Sequence, residues 1–342
     1  MLTLVYRFQK QKTTMDVAEA EQLAEENSSP EATDDAYILG GADLEMLLIE
    51  RRLEKFGALV VGATTTWEEA DVTKRSGLIA EAQAQGRMPV LIEHRGADEV
   101  PGIVHIDHHD KNAHRDASIL QVLERLGVDP NFVDKIVAAN DSGYIPGMEA
   151  LLDGEYKDRF ISKRIKAGID SEKVEQRYQE VRTYIINAVR LKDREAQGVT
   201  ATDETEAEEA IERMEDRDGL KVVSLKGRRN SPVNDRLYPT WEDGKENLVV
   251  VCAAEEPEKE VWFFGPGDVC KDTLEHFKEL KKKRIEANPD EPERRGIYHT
   301  VGGGKGFGES DKITRCLVVA SDPEEVISYI HELEKQRTVH NA

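Results

Sequence analysis

Three adjacent polar residues able to bind metal follow a short apolar run at positions 102–106. Asp107, His108 and His109 come directly after this run, which is typical of a β-strand. In open α/β folds, ligands bind in the crevice outside the carboxyl ends of the strands. Imidazole and carboxylate ligands together favour a transition metal such as Mn. The triplet therefore predicts a metal site near a phosphate.

Three further apolar runs end in acidic or imidazole residues. The run 37–41 is followed by Asp43 and Glu45, the run 89–92 by Glu93 and His94, and the run 136–139 by Asn140 and Asp141. We read all of them as strands, so that their ends would meet at one edge of a sheet. A set of solvated polar loops would scatter these residues more evenly along the chain. The pattern therefore favours a metal site.

These motifs resemble those of the DHH phosphoesterase superfamily, which includes RecJ-type exonucleases, oligoribonucleases and inorganic pyrophosphatases. Asp107, His108 and His109 match the motif that names the family, and Asp141 with its small neighbours matches the final one. The family's first motif is an H-x-D-x-D string. Asp43 and Glu45 match its D-x-D part, with Glu in place of the second Asp. The resemblance covers roughly residues 36–320.

The chain also departs from the family pattern. Gly41 stands where the family has a metal-binding His, and His94 or His105 could compensate for that loss. Glu93 is the best match for a lone Asp, although His94 could share or take this role. Glu in place of Asp lengthens the side chain by about 1.5 Å. Near the C-terminus, a Gly-Gly-Gly-Lys string that ends at Lys305 resembles the Gly-Gly-Gly-His of the family's substrate-binding domain.

The resemblance implies a phosphoesterase that binds two divalent cations, Mn²⁺ or alternatively Mg²⁺. A metal-activated water would attack the phosphorus of a short nucleotide-type phosphodiester or phosphomonoester. The implied metal ligands are Asp43, Glu45, Glu93, Asp107, His108 and Asp141. The implied catalytic residues are Asp107, His108 and His109, and the implied substrate-binding residues are His109, Gly302, Gly303, Gly304 and Lys305.

Two other functions stay open. A non-catalytic nucleotide- or phosphate-binding protein could have kept the fold and lost a metal, and Gly41 in place of His favours this alternative. A Mn-dependent pyrophosphatase is the second alternative. It is disfavoured because the family counterpart of the glycine string accompanies nucleotide-type substrates.

Alternating strand and helix patterns predict an α/β fold, with a mostly parallel sheet flanked by helices and a smaller α/β substrate-binding domain joined by helices. We place an N-terminal extension at 1–35, a catalytic domain at 36–150, a helical connector at 151–217 and the substrate-binding domain at 218–342. Asp116 is the expected N-cap of a helix that begins after it.

The formal net charge of −21 argues against a groove for long duplex nucleic acid, because such proteins neutralise phosphates with Lys and Arg. The expected partner is a nucleotide or a short single-stranded oligonucleotide, and a homodimer is left open. No apolar run approaches the ~20 residues that cross a bilayer. The three cysteines are widely spaced, as in reduced cytosolic proteins, so a cytoplasmic location is expected.

Overall fold

The computed structural model describes residues 34–67, 69–109, 112, 114–227, 229–241, 247–253, 259–265, 267–287, 298–301, 314–320 and 322–340. These residues divide into two compact units, and the division lies between Gln197 and Gly198. That point falls inside the segment 151–217, which the sequence assigns to a helical connector. The glycine string Gly302–Lys305 and residues 1–33 of the predicted N-terminal extension lie outside the described residues.

The first unit contains a parallel sheet of four strands in the order β2-β1-β3-β4. The elements are β1 (Asp35–Ile38), α1 (Leu44–Lys55), β2 (Leu59–Gly62), α2 (Val72–Ala84), β3 (Met88–Ile92) and β4 (Val104–Ile106). The predicted α/β class with a parallel sheet flanked by helices is therefore confirmed.

Helices cover both faces of this sheet. Tyr37 and Val90 pack into one buried cluster with Met46 of α1, whereas Ile38 and Leu91 pack into a second cluster with Ile79 of α2. Because neighbouring residues of a strand point to opposite faces, both faces of the sheet must be buried. This explains why the strands read as continuous apolar runs rather than as alternating patterns.

The described part of the first unit contains four more α-helices. They are α3 (Ser118–Arg125), α4 (Phe132–Leu151), α5 (Lys157–Lys166) and α6 (Ser171–Ala196), with a π-helical segment at Leu152–Tyr156 between α4 and α5. The run 136–139 is part of α4, so its prediction as a strand is wrong. A short apolar run cannot separate a strand from a buried helix. The informative signal is the capping box that Asn131 and Asp134 form at the start of α4.

The second unit contains a mixed sheet in the order β5-β6-β7-β8-β10-β9, in which only β6 and β7 are parallel neighbours. Its elements are α7 (Ala201–Glu212), β5 (Glu215–Arg217), β6 (Leu220–Ser224), α8 (Ser231–Trp241), β7 (Asn247–Ala253), β8 (Lys259–Gly265), α9 (Gly267–Ala287), β9 (Tyr298–Val301), β10 (Thr314–Ala320) and α10 (Pro323–His340). Across the described ranges, none of the helices combines the length and apolar composition that a membrane crossing requires.

Candidate metal centre

Three strands of the parallel sheet end in polar residues at the same edge. Glu93 follows β3, and Asp107 and His108 follow β4. After β1, Asp43 is the N-cap of α1, and its carboxylate accepts a hydrogen bond of 2.8 Å from the amide of Met46. The parallel topology therefore brings residues that are distant in sequence to one place.

Four of the predicted metal ligands converge there. Glu45, Glu93, His108 and Asp141 each offer a ligand atom, and these atoms all lie within 4.8 Å of one another. His108 Nε2 is at the centre, 2.5 Å from Asp141 Oδ2, 3.4 Å from Glu93 Oε1 and 3.7 Å from Glu45 Oε2. Ligand atoms bound to one ion at ~2.1 Å lie about 3–4 Å apart, so most of these separations suit a shared cation.

Asp141 reaches the group from a broken helix. Within α4, Tyr144 has φ 55° and ψ −146°, so the helix is interrupted just beyond Asp141. A left-handed φ at an aromatic residue costs about 1–3 kcal/mol and persists only where its surroundings enforce it. A helix therefore supplies the carboxylate that the sequence pattern assigns to a strand end.

Glu93 also has an uncommon backbone conformation. Its φ is 54°, in the left-handed region that residues with a Cβ seldom adopt. The amide of Glu93 donates a 2.9 Å hydrogen bond to the carbonyl of Ile106. This bond joins the ends of β3 and β4. Backbone strain is therefore present on two of the segments that carry ligand atoms, at Glu93 and close to Asp141.

The atoms at the centre of the group have few partners outside the group. Apart from the ion-pair contacts that His108 Nε2 makes with the carboxylates, Glu45 Oε2, both carboxylate oxygens of Glu93 and Asp141 Oδ2 are buried without a hydrogen-bond partner. A buried polar atom without a partner is costly, and carboxylates without one are especially so. Oxygen and imidazole ligands are also a donor set that suits Mn, Fe or Zn. The residues present therefore fit a divalent cation.

Charge interactions within the cluster shift the pKa values of its members. Burial raises the pKa of Glu45 well above its usual range, and the charges of Asp141 and Glu93 raise it further. Burial alone would lower the pKa of His108, but the surrounding carboxylates outweigh it and raise that pKa to about 12. Burial would raise the pKa of Asp141, but His108 lowers it to about 2. The surrounding carboxylates therefore favour a positive charge at this position, which either an imidazolium or a bound cation would supply.

Asp107, which the resemblance implies as a ligand, lies outside the four-residue group and belongs to a separate potential ligand group with Asp98 and His105. Its Oδ1 accepts hydrogen bonds from the amide (3.1 Å) and Nδ1 (2.9 Å) of His109, and its Oδ2 accepts one of 3.0 Å from Asn112. Burial would raise the pKa of Asp107, but these bonds outweigh it and lower that pKa. In this arrangement Asp107 orients His109, whose side chain is 42% exposed.

Asp43, His94 and His105 also stand apart from the four-residue group. Burial raises the pKa of Asp43, and the nearby charges of Glu93 and Asp141 raise it further, so Asp43 lies beside the cluster. His94 is buried and directs Nδ1 to the carbonyl of Ile92 at 2.9 Å, and burial lowers its pKa to about 4. His105 pairs with Asp98 at 2.7 Å. Among the described residues, neither imidazole belongs to a ligand group that contains His108.

Glu45 has a second role that the sequence did not indicate. Its Oε1 accepts a 2.9 Å hydrogen bond from the amide of Ile119, in the first turn of α3. The residue at the N-cap of α3 is Ala117, which has no side-chain cap. The prediction that Asp116 caps α3 is therefore wrong, because a carboxylate from α1 satisfies this amide instead.

The space beside Gly41, where the resemblance leads us to expect a histidine side chain, is occupied by the ring of Trp67. A Cβ added to Gly41 would lie 2.3–2.6 Å from three ring atoms of Trp67. Residues 40–42 are held against the neighbouring segment by two backbone bonds, from Ala42 to Thr65 (2.8 Å) and from Thr65 to Gly40 (3.0 Å). No side chain fits at position 41 while the indole lies there.

A buried network behind the cluster was also missed. Arg190 and Asp193 on α6 are both 5% exposed and are joined by a 2.6 Å ion pair. Asp193 Oδ1 accepts a 3.3 Å hydrogen bond from the amide of Leu44, next to Asp43. The only local signal is a charged pair three residues apart, which normally indicates a solvated helix face.

Comparison with known proteins adds no assignment, since no protein-family model matches the sequence and no curated protein matches it significantly.

Proposed function

We propose that the first unit is the catalytic domain of a divalent-metal-dependent phosphoesterase of the DHH type, which acts on a short nucleotide-type phosphodiester or phosphomonoester. The observation that supports this proposal is the set of buried ligand atoms that converge from Glu45, Glu93, His108 and Asp141 and that find partners mainly in one another. A divalent ion there would supply Lewis-acid chemistry and a bound water of lowered pKa. Mn²⁺ suits the mixed carboxylate and imidazole donors best, with Mg²⁺ as the alternative.

The chain's own residues would bind and orient the substrate. His109 is partly exposed, and Asp107 accepts the hydrogen of its Nδ1, so that Nε2 can face a substrate oxygen. Burial would lower the pKa of His109, but the bond to Asp107 outweighs it and raises that pKa. A protonated His109 would therefore attract an anionic phosphate next to the four-residue group, because its ring centroid lies 4.3 Å from that of His108.

A non-catalytic phosphate- or nucleotide-binding protein is the second candidate. The observation that favours it is the indole over Gly41, which excludes an additional imidazole from this position. The tight four-residue group would then hold a single structural ion or the His108 proton. A Mn-dependent pyrophosphatase is a third candidate, and it is tested by including pyrophosphate among the substrates below.

The test is phosphate or nucleotide release with Mn²⁺ from a panel of dinucleotides, short single-stranded oligonucleotides, nucleoside bisphosphates and pyrophosphate. Release from a nucleotide-type substrate is expected, and His108→Ala and Asp141→Ala should each abolish it and weaken Mn²⁺ binding. His276→Ala, which changes a histidine of the second unit, is the matched control and should remain active. Tight Mn²⁺ binding without turnover of any compound would instead support the binding protein.

A further inference from the structure

Trp67 is unusually exposed for a tryptophan. Its exposed fraction is 43%, whereas tryptophan side chains are highly buried on average. The ring nevertheless has a defined support, because it lies directly over the backbone of Gly41. One side of the indole is thus packed on the end of the sheet, and a large part of the ring still meets solvent.

The exposed indole lies beside the histidine that would face phosphate. The rings of Trp67 and His109 are edge to face, with centroids 6.5 Å apart and planes at 78°. His109 in turn lies 4.3 Å, between ring centroids, from His108 in the proposed metal centre. Only the side chain of His109 therefore separates the Trp67 ring from the position where a phosphoester would react.

The negative charge around the site favours a substrate contact that is itself uncharged. The chain carries a formal net charge of −21, and three carboxylates converge at the site itself. These carboxylates would repel phosphate groups beyond the reacting one, so an uncharged contact would add affinity that this repulsion does not oppose. A nucleobase is uncharged at neutral pH, and any base can stack on an exposed aromatic ring.

We propose that Trp67 is the stacking platform for a nucleobase of the substrate, held over Gly41 so that the attached phosphate reaches His109. This inference rests on the proposed phosphoesterase function for the identity of the reacting group. It narrows the substrate class to phosphoesters that carry a base next to the cleaved bond. It also gives Gly41 a role, since only glycine leaves room for the indole.

Binding of adenosine monophosphate tests the platform without any turnover. Calorimetry should show a dissociation constant raised about 5- to 150-fold by Trp67→Ala, the equivalent of ~1–3 kcal/mol for loss of one stacked base. Trp67→Phe should recover part of that loss, because a smaller ring still stacks. Ribose 5-phosphate should bind the wild type and Trp67→Ala equally. Equal affinity of both proteins for adenosine monophosphate would overturn the proposal.

Kinetics with a dinucleotide and its abasic counterpart separate this proposal from the proposed function. Trp67→Ala should raise KM for the dinucleotide and leave the abasic compound unchanged. Tyr184→Ala, which removes an equally exposed aromatic ring from α6, is the matched control. If both compounds are cleaved and Trp67→Ala affects them equally, the platform is wrong and the phosphoesterase stands. If Trp67 binds adenosine monophosphate but nothing is cleaved, the phosphoesterase is wrong and the platform stands.

Discussion

Arg190 Nη1 donates a 2.9 Å hydrogen bond to the side-chain oxygen of Asn140, the residue immediately before Asp141. The same nitrogen pairs with Asp193, and the guanidinium carbon lies 4.4 Å from the ring centroid of Tyr144. Helix α6 therefore contacts α4 on both sides of Asp141, at the point where α4 breaks. Through this arginine, α6 holds the residue before Asp141 and the aromatic ring three residues after it.

Arg190→Met should destabilise the protein and weaken Mn²⁺ binding. Removing one partner of a buried ion pair leaves an uncompensated charge on Asp193, which costs about 3–5 kcal/mol. Chemical denaturation measures this loss. The double variant Arg190→Met/Asp193→Leu should regain most of the stability but not the Mn²⁺ affinity, since Asn140 and Tyr144 stay unsupported. Full recovery of metal affinity in the double variant would show that Arg190 has only a structural role.

Glu45→Gln should stabilise the metal-free protein and remove its stabilisation by Mn²⁺. The carboxyl of Glu45 has a raised pKa in the fold because of burial and the charges of Asp141 and Glu93, so its ionised form costs stability at neutral pH. The amide keeps an oxygen for the bond to Ile119. The melting temperature without metal should rise by about 2–4 °C for each kcal/mol relieved. A lower melting temperature in metal-free buffer would contradict the repulsion that we infer.

The metal-free protein should lose stability as the pH rises above 6.5. The pKa of His108 is about 12 in the fold against a reference value of 6.5. The stabilisation from its bound proton is therefore complete below pH 6.5 and is lost progressively as the pH rises toward the folded value. Melting temperatures from pH 6.5 to 9 should fall in the wild type, whereas His108→Gln should lack this component.

Binding of Mn²⁺ should release the His108 proton. Metal ligands must be deprotonated, so the ion and the proton compete for Nε2. Calorimetry in buffers of different ionisation enthalpy should detect about one proton released per ion at pH 7. The apparent affinity should then rise about tenfold per pH unit. An affinity that is independent of pH would mean that His108 is not a ligand.

Gly41→Ala and Trp67→Ala should have strongly non-additive effects on nucleotide affinity. A methyl group at position 41 would overlap the indole and displace it, so the single change should weaken binding much as loss of the ring does. In the double variant, the methyl group occupies space that is already empty. Coupling between contacting residues is typically about 0.5–3 kcal/mol. Strict additivity would indicate that the ring does not lie over Gly41 in solution.

The sheet of the first unit could be predicted from sequence because its signals are local. The structure places β1, β3 and β4 within a few residues of the apolar runs at 37–41, 89–92 and 102–106. The run 136–139 was misassigned because it is too short to show a helical period, whereas its capping box lies outside it. Helix α8 was not predicted, and its two prolines obscure the periodic pattern.

The candidate site was predictable by residue type but not by arrangement. Glu45, Glu93, His108 and Asp141 could be chosen from motif spacing, and they do lie together. The directions of the side chains could not be predicted from the sequence. The hydrogen bonds of Asp107 with His109 and Asn112, for example, depend on the conformation of the loop. Arg190 acts across fifty positions of sequence, and only the docking of α6 makes its role visible.

The hydrogen bond from the Ile119 amide to Glu45 couples a backbone group to the proposed metal centre. The two oxygens of one carboxylate face different partners, so any ion that withdraws electron density from Oε2 also weakens Oε1 as an acceptor. The NMR signal of the Ile119 amide would therefore report on ion binding at the proposed metal centre. In a ¹⁵N-labelled sample, its chemical shift should track occupancy of the centre by a diamagnetic ion such as Mg²⁺ or Zn²⁺, even when no substrate is present.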